Sequence, residues 1–246
     1  MNKKNLFLSV ALSLTFVFFS QATKEKLKMY CIYTPSHAVM KDEWFLPSLQ
    51  DDYEIIMQFF DQECSAASFM SQGWKKTTIH KVELWLQAAK DNTDKIFICS
   101  DVDIQFFQPT QKLLEEFMND NDLVVQQDTP GGGICSGFFA CRGNDRTIKL
   151  FEAMLQCMKK YADKSDQACL KQFIKKSNPF NIKWQLLPVE FFGGGTLTAK
   201  LWKPGVTLPV PQNIVMHHAN WTKGITNKIA QLKHVKTVVE QRTLPH

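Results

Sequence analysis

The 246-residue chain has no Cys-x-x-Cys pair, no internal repeat and no low-complexity linker. The first absence argues against a structural zinc site, which draws its thiolates from closely spaced pairs. Eleven glycines and ten prolines are scattered along the chain, so nothing in the composition divides it into separate folding units. An excess of charge is also missing. Lys and Arg number 29 against 24 Asp and Glu, a net of +5. Residues 1–22 hold two lysines and no acid, which leaves 27 against 24, or +3, for the remainder. With no dense basic stretch carrying interleaved aromatics, this balance is too mild to argue for nucleic acid as a partner, and none is expected. It does suit a few lysines focused on one anionic ligand. Hydrophobic residues make up 44% and charged residues 22%, the profile of a globular protein with a full core.

Long apolar runs are lacking too. The one continuous run, Leu6 to Phe19, is short for a membrane span. Lys3 and Lys4 precede it, and Ser20-Gln21-Ala22 offers small residues for cleavage before Thr23. Residues 1–22 therefore read as a signal peptide, with an uncleaved signal anchor as the alternative. The expectation is export through the secretory pathway (periplasm, secretion, or the ER or Golgi lumen), with a membrane as partner only if the signal stays uncleaved. Seven cysteines are an odd number, so at least one thiol is free or pairs between chains. Cys31 and Cys99 lie in strand-like runs and read as small buried apolar residues.

Strands are expected at Leu27–Tyr33, Tyr53–Phe60, Lys95–Ser100, Leu123–Gln126, Ile134–Arg142 and Trp184–Leu187. Helices are expected at Thr77–Lys90, Gln111–Met118, Asp145–Tyr161, Asp166–Lys175 and Ile225–Val235. In the first helix Ile79, Val82, Leu86 and Ala89 share one face. After Pro188 the chain reads as loop until Ile214–His217. Strands alternating with helices imply an α/β domain with a largely parallel sheet.

The strongest chemical signal is Asp101-Val102-Asp103, placed where the apolar run Ile96–Ser100 ends. Carboxylates at i and i+2 on extended backbone point to one side. Unpaired they repel, and a hard divalent cation (Mn²⁺ or Mg²⁺) resolves the repulsion. On this reading, removing Asp103 relieves the metal-free protein. The carboxyl end of a strand is also where ligands bind in open α/β sheets. His217-His218 can complete such a site from a distant segment. Gly224 permits close backbone approach, and Lys223 or Lys228 can meet a phosphate. Ser136 and Gly137 inside an apolar strand suggest backbone beside a ligand. Asp166 and Gln167 open a helix, where capping alone explains them, Ser165 being the other candidate cap. Lys81 reads as a solvated lysine, and Trp44, Trp74, Trp85 and Trp184 as packing residues.

The ordered segments IYTPSH, WFLPSL, KVELW, FICSDVDIQFF, CSGFFACR, SDQ, LPVEFF and HHANWTKGITNK resemble the nucleotide-diphospho-sugar transferase family. This is the group related to plant arabinosyl- and xylosyltransferases of glycosyltransferase family 77. The resemblance covers residues 28–240. It implies a GT-A fold (a Rossmann-like α/β/α domain with a mostly parallel central sheet) over residues 23–246, and Mn²⁺ or Mg²⁺ as cofactor. It also implies a nucleotide-sugar donor, a glycan, protein or lipid hydroxyl as acceptor, and retaining chemistry. By the same resemblance Asp101, Asp103 and His218 hold the metal, with His217 as the alternative imidazole. Thr34, Ser36, Lys81, Ser136, Gly137, Gly224 and Lys228 bind the donor, and Asp166 and Gln167 lie beside the reacting carbon. A Ser-Gly stands where related families carry Asn-Ser-Gly or Asn-Thr-Gly, a departure in the sugar pocket.

The expected function is therefore metal-dependent transfer of a sugar from a nucleotide diphosphate to a hydroxyl. Three other readings compete with it. A secreted sugar- or metal-binding module would use the same residues without turnover. Donor hydrolysis without an acceptor is a second. A phosphohydrolase of the haloacid dehalogenase type is disfavoured, since its motif needs Thr or Val where Gln105 stands, and it normally opens the domain.

Overall fold

The computed structural model describes residues 25–62 and 73–243. The signal-peptide reading of residues 1–22 and the fate of Cys64 lie outside them. The chain opens with β1 (Lys28–Tyr33) and an irregular helical segment, made of a 3₁₀ turn at Pro35–His37, α1 (Ala38–Met40), a π turn at Lys41–Phe45 and α2 (Leu46–Ser48). Next come β2 (Glu54–Phe59), α3 (Trp74–Asp91), β3 (Ile96–Ser100), β4 (Ile104–Phe106) and α4 (Gln111–Phe117). β5 (Leu123–Gln127), β6 (Ile134–Arg142), α5 (Asp145–Lys160) and α6 (Asp166–Lys171) follow, the last continued by a π turn at Gln172–Lys176. β7 (Trp184–Leu186), β8 (Phe191–Gly193), β9 (Met216–His218) and α7 (Ile225–Thr243) complete the fold.

The central sheet has six strands in the order β2-β1-β3-β6-β5-β7. β1 pairs parallel with β2 and β3, β5 pairs parallel with β7, and β6 runs antiparallel between β3 and β5. Five strands therefore share one direction, as expected for an α/β domain. A smaller sheet, β4-β9-β8, stands at the carboxyl end of β3.

Strand alternation explains why both faces of the large sheet are covered. Phe97, Cys99 and Phe139 face α3, α5 and α6, where Val82, Trp85, Phe151 and Met154 fill the layer. Met29, Ile98 and Phe138 face the other way, onto Phe45, Leu114 and Phe191. The Trp85 ring meets Phe139 edge-on at 4.9 Å between centroids. Trp85 and Ala88 thus join Val82 and Ala89 as the fully buried residues of α3, while Ile79 and Leu86 are only partly buried. Cys31 and Cys99 are buried free thiols, as expected.

Three features depart from the sequence reading. The helical segment after β1 has no counterpart among the expected elements. Two short strands also go beyond the expected elements, β4 where none is expected and β8 in the stretch read as loop, and they exist because β9 pairs with both. Finally, α7 runs to Thr243, well past Val235, since Val238 and Val239 pack on the cluster of Phe192 and Trp202. Among the described residues no helix is long and apolar enough to cross a membrane.

Candidate active site

A cavity of about 530 Å³ opens where β3, β6, β9 and α3 converge. Asp101 leaves the end of β3, and its backbone N–H donates to the Gly137 carbonyl at 2.7 Å. The Ala219 N–H donates in turn to the Asp103 carbonyl at 2.9 Å. Those bonds fasten the acidic turn between β6 and the end of β9. Gly137 is needed for the approach. A Cβ there would lie 2.2 Å from His218 Cε1 and 2.8 Å from Asp101 Oδ2.

Asp101, Asp103 and His218 offer ligand atoms that all lie within 4.8 Å of one another. His218 Nε2 is 3.3 Å from Asp103 Oδ1 and 3.9 Å from Asp101 Oδ2. On its far side His218 Nδ1 lies 2.9 Å from Gln126 Oε1, an acceptor that fixes which nitrogen faces the acids. Gln126 is fully buried at an irregularity in the β5–β6 pairing, and its Nε2 donates to the Phe191 carbonyl at 3.1 Å. Two carboxylates, an imidazole with its second nitrogen held, and a glycine wall make a donor set that fits a divalent cation.

His217 points to the opposite face of β9. It is fully buried, neither ring nitrogen has a hydrogen-bond partner, and burial first, then the neighbouring His218, lowers its pKa to about 3. The structure therefore brings His218, not His217, to the acidic pair.

The repulsion expected between the two acids is absent, because each carboxylate has a protein cation. Lys81 Nζ lies 2.6 Å from Asp101 Oδ1 and 3.3 Å from Asp166 Oδ2. The reading of Lys81 as solvated is thus corrected: its chain runs inward from α3, over the Trp85 ring. Lys228 Nζ pairs with Asp103 Oδ2 and donates to the Ala219 carbonyl at 2.9 Å. Burial works against the charged form of Asp103, but Lys228 and His218 outweigh it and hold the carboxyl well below its usual range. Burial likewise opposes the imidazolium of His218, yet Asp103 prevails and raises its pKa to about 10. Three cations (Lys81, Lys228 and protonated His218) face three carboxylates (Asp101, Asp103 and Asp166).

The remaining expected residues divide. Ser136 Oγ donates to Asp166 Oδ2 at 3.0 Å, and Ser136 N–H donates to Gln167 Oε1 at 3.3 Å. The first turn of α6 is thus stitched to β6, with Ser165 as its cap. Thr34, Ser136, Asp166, Gln167 and Lys228 line the cavity; Ser36 and Gly224 do not. Ser36 Oγ bonds Thr34 and His37 at 3.1 and 3.0 Å, one layer back. Gly224 adopts φ +83° in the turn entering α7.

Several wall residues escaped the sequence reading. Asp128 ends β5 as Asp101 ends β3, the one signal that pointed to it. It accepts hydrogen bonds from Trp221 Nε1 at 2.9 Å, Asn220 Nδ2 at 3.3 Å and Gln167 Nε2 at 3.3 Å. Burial, the largest influence, raises its pKa. His37 and Trp74 also line the cavity, so Trp74 is not simply a packing residue. The indole of Trp221 lies so near Gly195 that a Cβ there would be 2.2 Å from it.

A sheet of this topology, with paired acids at the end of β3 and a cavity beyond them, defines a GT-A-type glycosyltransferase domain. Solved structures agree on the fold. A glycosyltransferase involved in glycosylation of the major capsid of PBCV-1 superposes with a TM-score of 0.55 at 11% identity, covering 87% of this chain and 100% of its own. The glycosyltransferase GlyE of Streptococcus pneumoniae TIGR4 gives 0.53 at 9% identity, over 88% of this chain and 62% of its own. The bifunctional glycosyltransferase WbbM gives 0.53 at 8% identity, over 90% and 52%. The last two proteins are thus much longer than the region shared. No curated protein sequence matches the chain. The sequence profile of the nucleotide-diphospho-sugar transferases, however, matches residues 46–232, and the chain belongs to that family.

Proposed function

We propose that the protein transfers a sugar from a nucleotide diphosphate to a hydroxyl acceptor (on a glycan, protein or lipid), in a reaction that requires Mn²⁺ or Mg²⁺ and retains the anomeric configuration. The observation that carries this reading is the Asp101–Asp103–His218 cluster at the cavity wall, in a chain of the nucleotide-diphospho-sugar transferase family. A bound divalent ion supplies Lewis-acid stabilisation of the departing diphosphate, worth several kcal/mol of barrier.

The chain's own residues divide the rest of the work. His218 presents Nε2 because Gln126 holds Nδ1. Lys228 pairs with Asp103, one of the carboxylates that would hold a cation, and its ammonium would supply positive charge for a diphosphate beside that site. Lys81 keeps Asp101 and Asp166 together despite their like charge. Asp166, steadied by Ser136, places a carboxylate at the sugar end, where it stabilises an oxocarbenium-like centre, and Gln167 stands beside it. The retaining outcome rests on the family resemblance. The proposal includes export: residues 1–22 are the signal peptide and residues 23–246 the mature domain, so N-terminal sequencing of exported protein should start at Thr23.

The test is a donor screen reading released nucleoside diphosphate with Mn²⁺, with and without acceptor. Release that depends on an acceptor supports transfer. Binding of donor without any release would favour the non-catalytic module.

A further inference from the structure

The cavity mouth carries a surface that the transfer chemistry leaves unexplained. Six large hydrophobic residues are exposed among the described residues. Three of them, Leu197, Leu201 and Val206, fall close together in the long connection between β8 and β9, at 40%, 51% and 49% exposure. Isolated exposed aliphatics need no account, but a group on one loop does. The same part of the chain is one-sided in charge: from Phe191 to Val239 there are six lysines and no Asp or Glu. Lys200 and Lys203 alternate with the apolar residues and are exposed, and Lys223 joins them from the next segment. None of these three forms an ion pair among the described residues.

The loop is also held in shape. Trp202 is buried at its centre, and its Nε1 donates to the Val206 carbonyl at 2.7 Å. The Trp202 backbone N–H donates to the Trp221 carbonyl at 2.7 Å, and Thr222 Oγ1 donates to the Trp202 carbonyl at 3.0 Å. Those bonds fix Lys203 and Leu201 beside Lys223. The turn Lys203–Val206 closes on a 3.1 Å bond, with Gly205 at φ +87°. Leu201, Trp221 and Lys223 belong to the cavity wall as well, so the loop adjoins the mouth.

We propose that this face docks on an anionic lipid bilayer, with Leu197, Leu201 and Val206 entering the interface and Lys200, Lys203 and Lys223 meeting the headgroups. Apolar side chains supply hydrophobic burial, and each lysine adds attraction to a negative surface, a combination neither feature achieves alone. An acidic protein surface would suit the lysines but does not call for a pre-shaped apolar tip. The docking stands apart from the proposed transfer. If both hold, the mouth opens toward an acceptor held at the bilayer.

The test is peptide-resolved hydrogen exchange on the mature chain, residues 23–246, with vesicles of phosphatidylcholine alone or mixed with phosphatidylglycerol. Peptides covering 196–207 should gain protection with the mixed vesicles only. Leu197→Asp combined with Val206→Asp should lower the vesicle-bound fraction about tenfold or more, with an unchanged melting temperature. Vesicle binding that leaves 196–207 unprotected would place the contact elsewhere on the chain and overturn the proposal. Equal protection by a soluble polyanion, or no binding to the mixed vesicles, would overturn it too. No donor or metal enters the readout, so an absence of transferase activity leaves it standing.

Discussion

Gln126 Oε1 stands 2.9 Å from His218 Nδ1, and the same amide donates to the Phe191 carbonyl at 3.1 Å. One fully buried side chain therefore sets the presentation of the imidazole and ties β5 to β8. Groups that orient a metal-ligating histidine are typically worth 10–100-fold in metal affinity.

Gln126→Met keeps the volume and removes both bonds. Manganese affinity by calorimetry is expected to fall about 10–100-fold. Stability should drop by about 1–3 kcal/mol, because a buried carbonyl loses its donor. Gln126→Glu keeps an acceptor for His218 and should recover part of the affinity but none of the Phe191 bond. If Gln126→Met binds Mn²⁺ as the wild type does, the amide has no orienting role.

The two adjacent histidines make a paired test. His217 is buried with both nitrogens unpartnered, so His217→Leu exchanges an unsatisfied polar group for an apolar one. Melting temperature should stay level or rise, with metal affinity unchanged. His218→Ala should lose metal affinity at least tenfold. The opposite pattern, with His217 controlling the metal, would contradict the placement of β9.

The charge balance gives a dependence on pH. The pKa of His218 is raised to about 10 in the metal-free fold, against about 6.5 unfolded. Its contribution to stability is therefore full below about pH 6.5 and disappears as pH climbs through 10. Metal-free protein should melt progressively lower across that window. An imidazole that ligates must first lose its proton. Manganese binding near pH 8 should then release close to one proton, which calorimetry in buffers of different ionisation enthalpy reads directly. Binding without proton release would mean that His218 is neutral or is not a ligand.

How much of this was legible in the sequence follows from how local each signal is. Ile96–Ser100 followed by two acids announces a buried strand with a site at its end, and the structure puts both there. Periodicity alone locates α5 almost to the residue. Helix spacing alone reads Lys81 as solvated, because its partners lie just past β3 and on α6 and only the folded sheet brings them within 3.3 Å. The roles of Gln126 and Trp221 escape for the same reason, since each acts through a bond to a residue about 65–93 positions away, and Asp128 carries only the faint signal of an acid at a strand end. The strands β4 and β8 are three residues each and owe their existence to β9, so no periodicity could mark them.

The most direct test of the central claim is Asp103→Asn, measured for both stability and turnover. Asp103 is buried between Lys228 and His218, so its loss leaves two cations uncompensated. In chelator the variant should melt lower than wild type, by about 3–5 kcal/mol in stability, contrary to the relief that two adjacent acids suggest in isolation. Turnover is the decisive reading. Wild type with Mn²⁺ and a nucleotide-sugar donor should release nucleoside diphosphate, chelator should stop it, and folded Asp103→Asn should show at most a small fraction of the wild-type rate. Wild-type turnover by Asp103→Asn, or full activity of the unaltered protein in chelator, would contradict the assignment of this cluster as the metal-dependent centre of a sugar transferase.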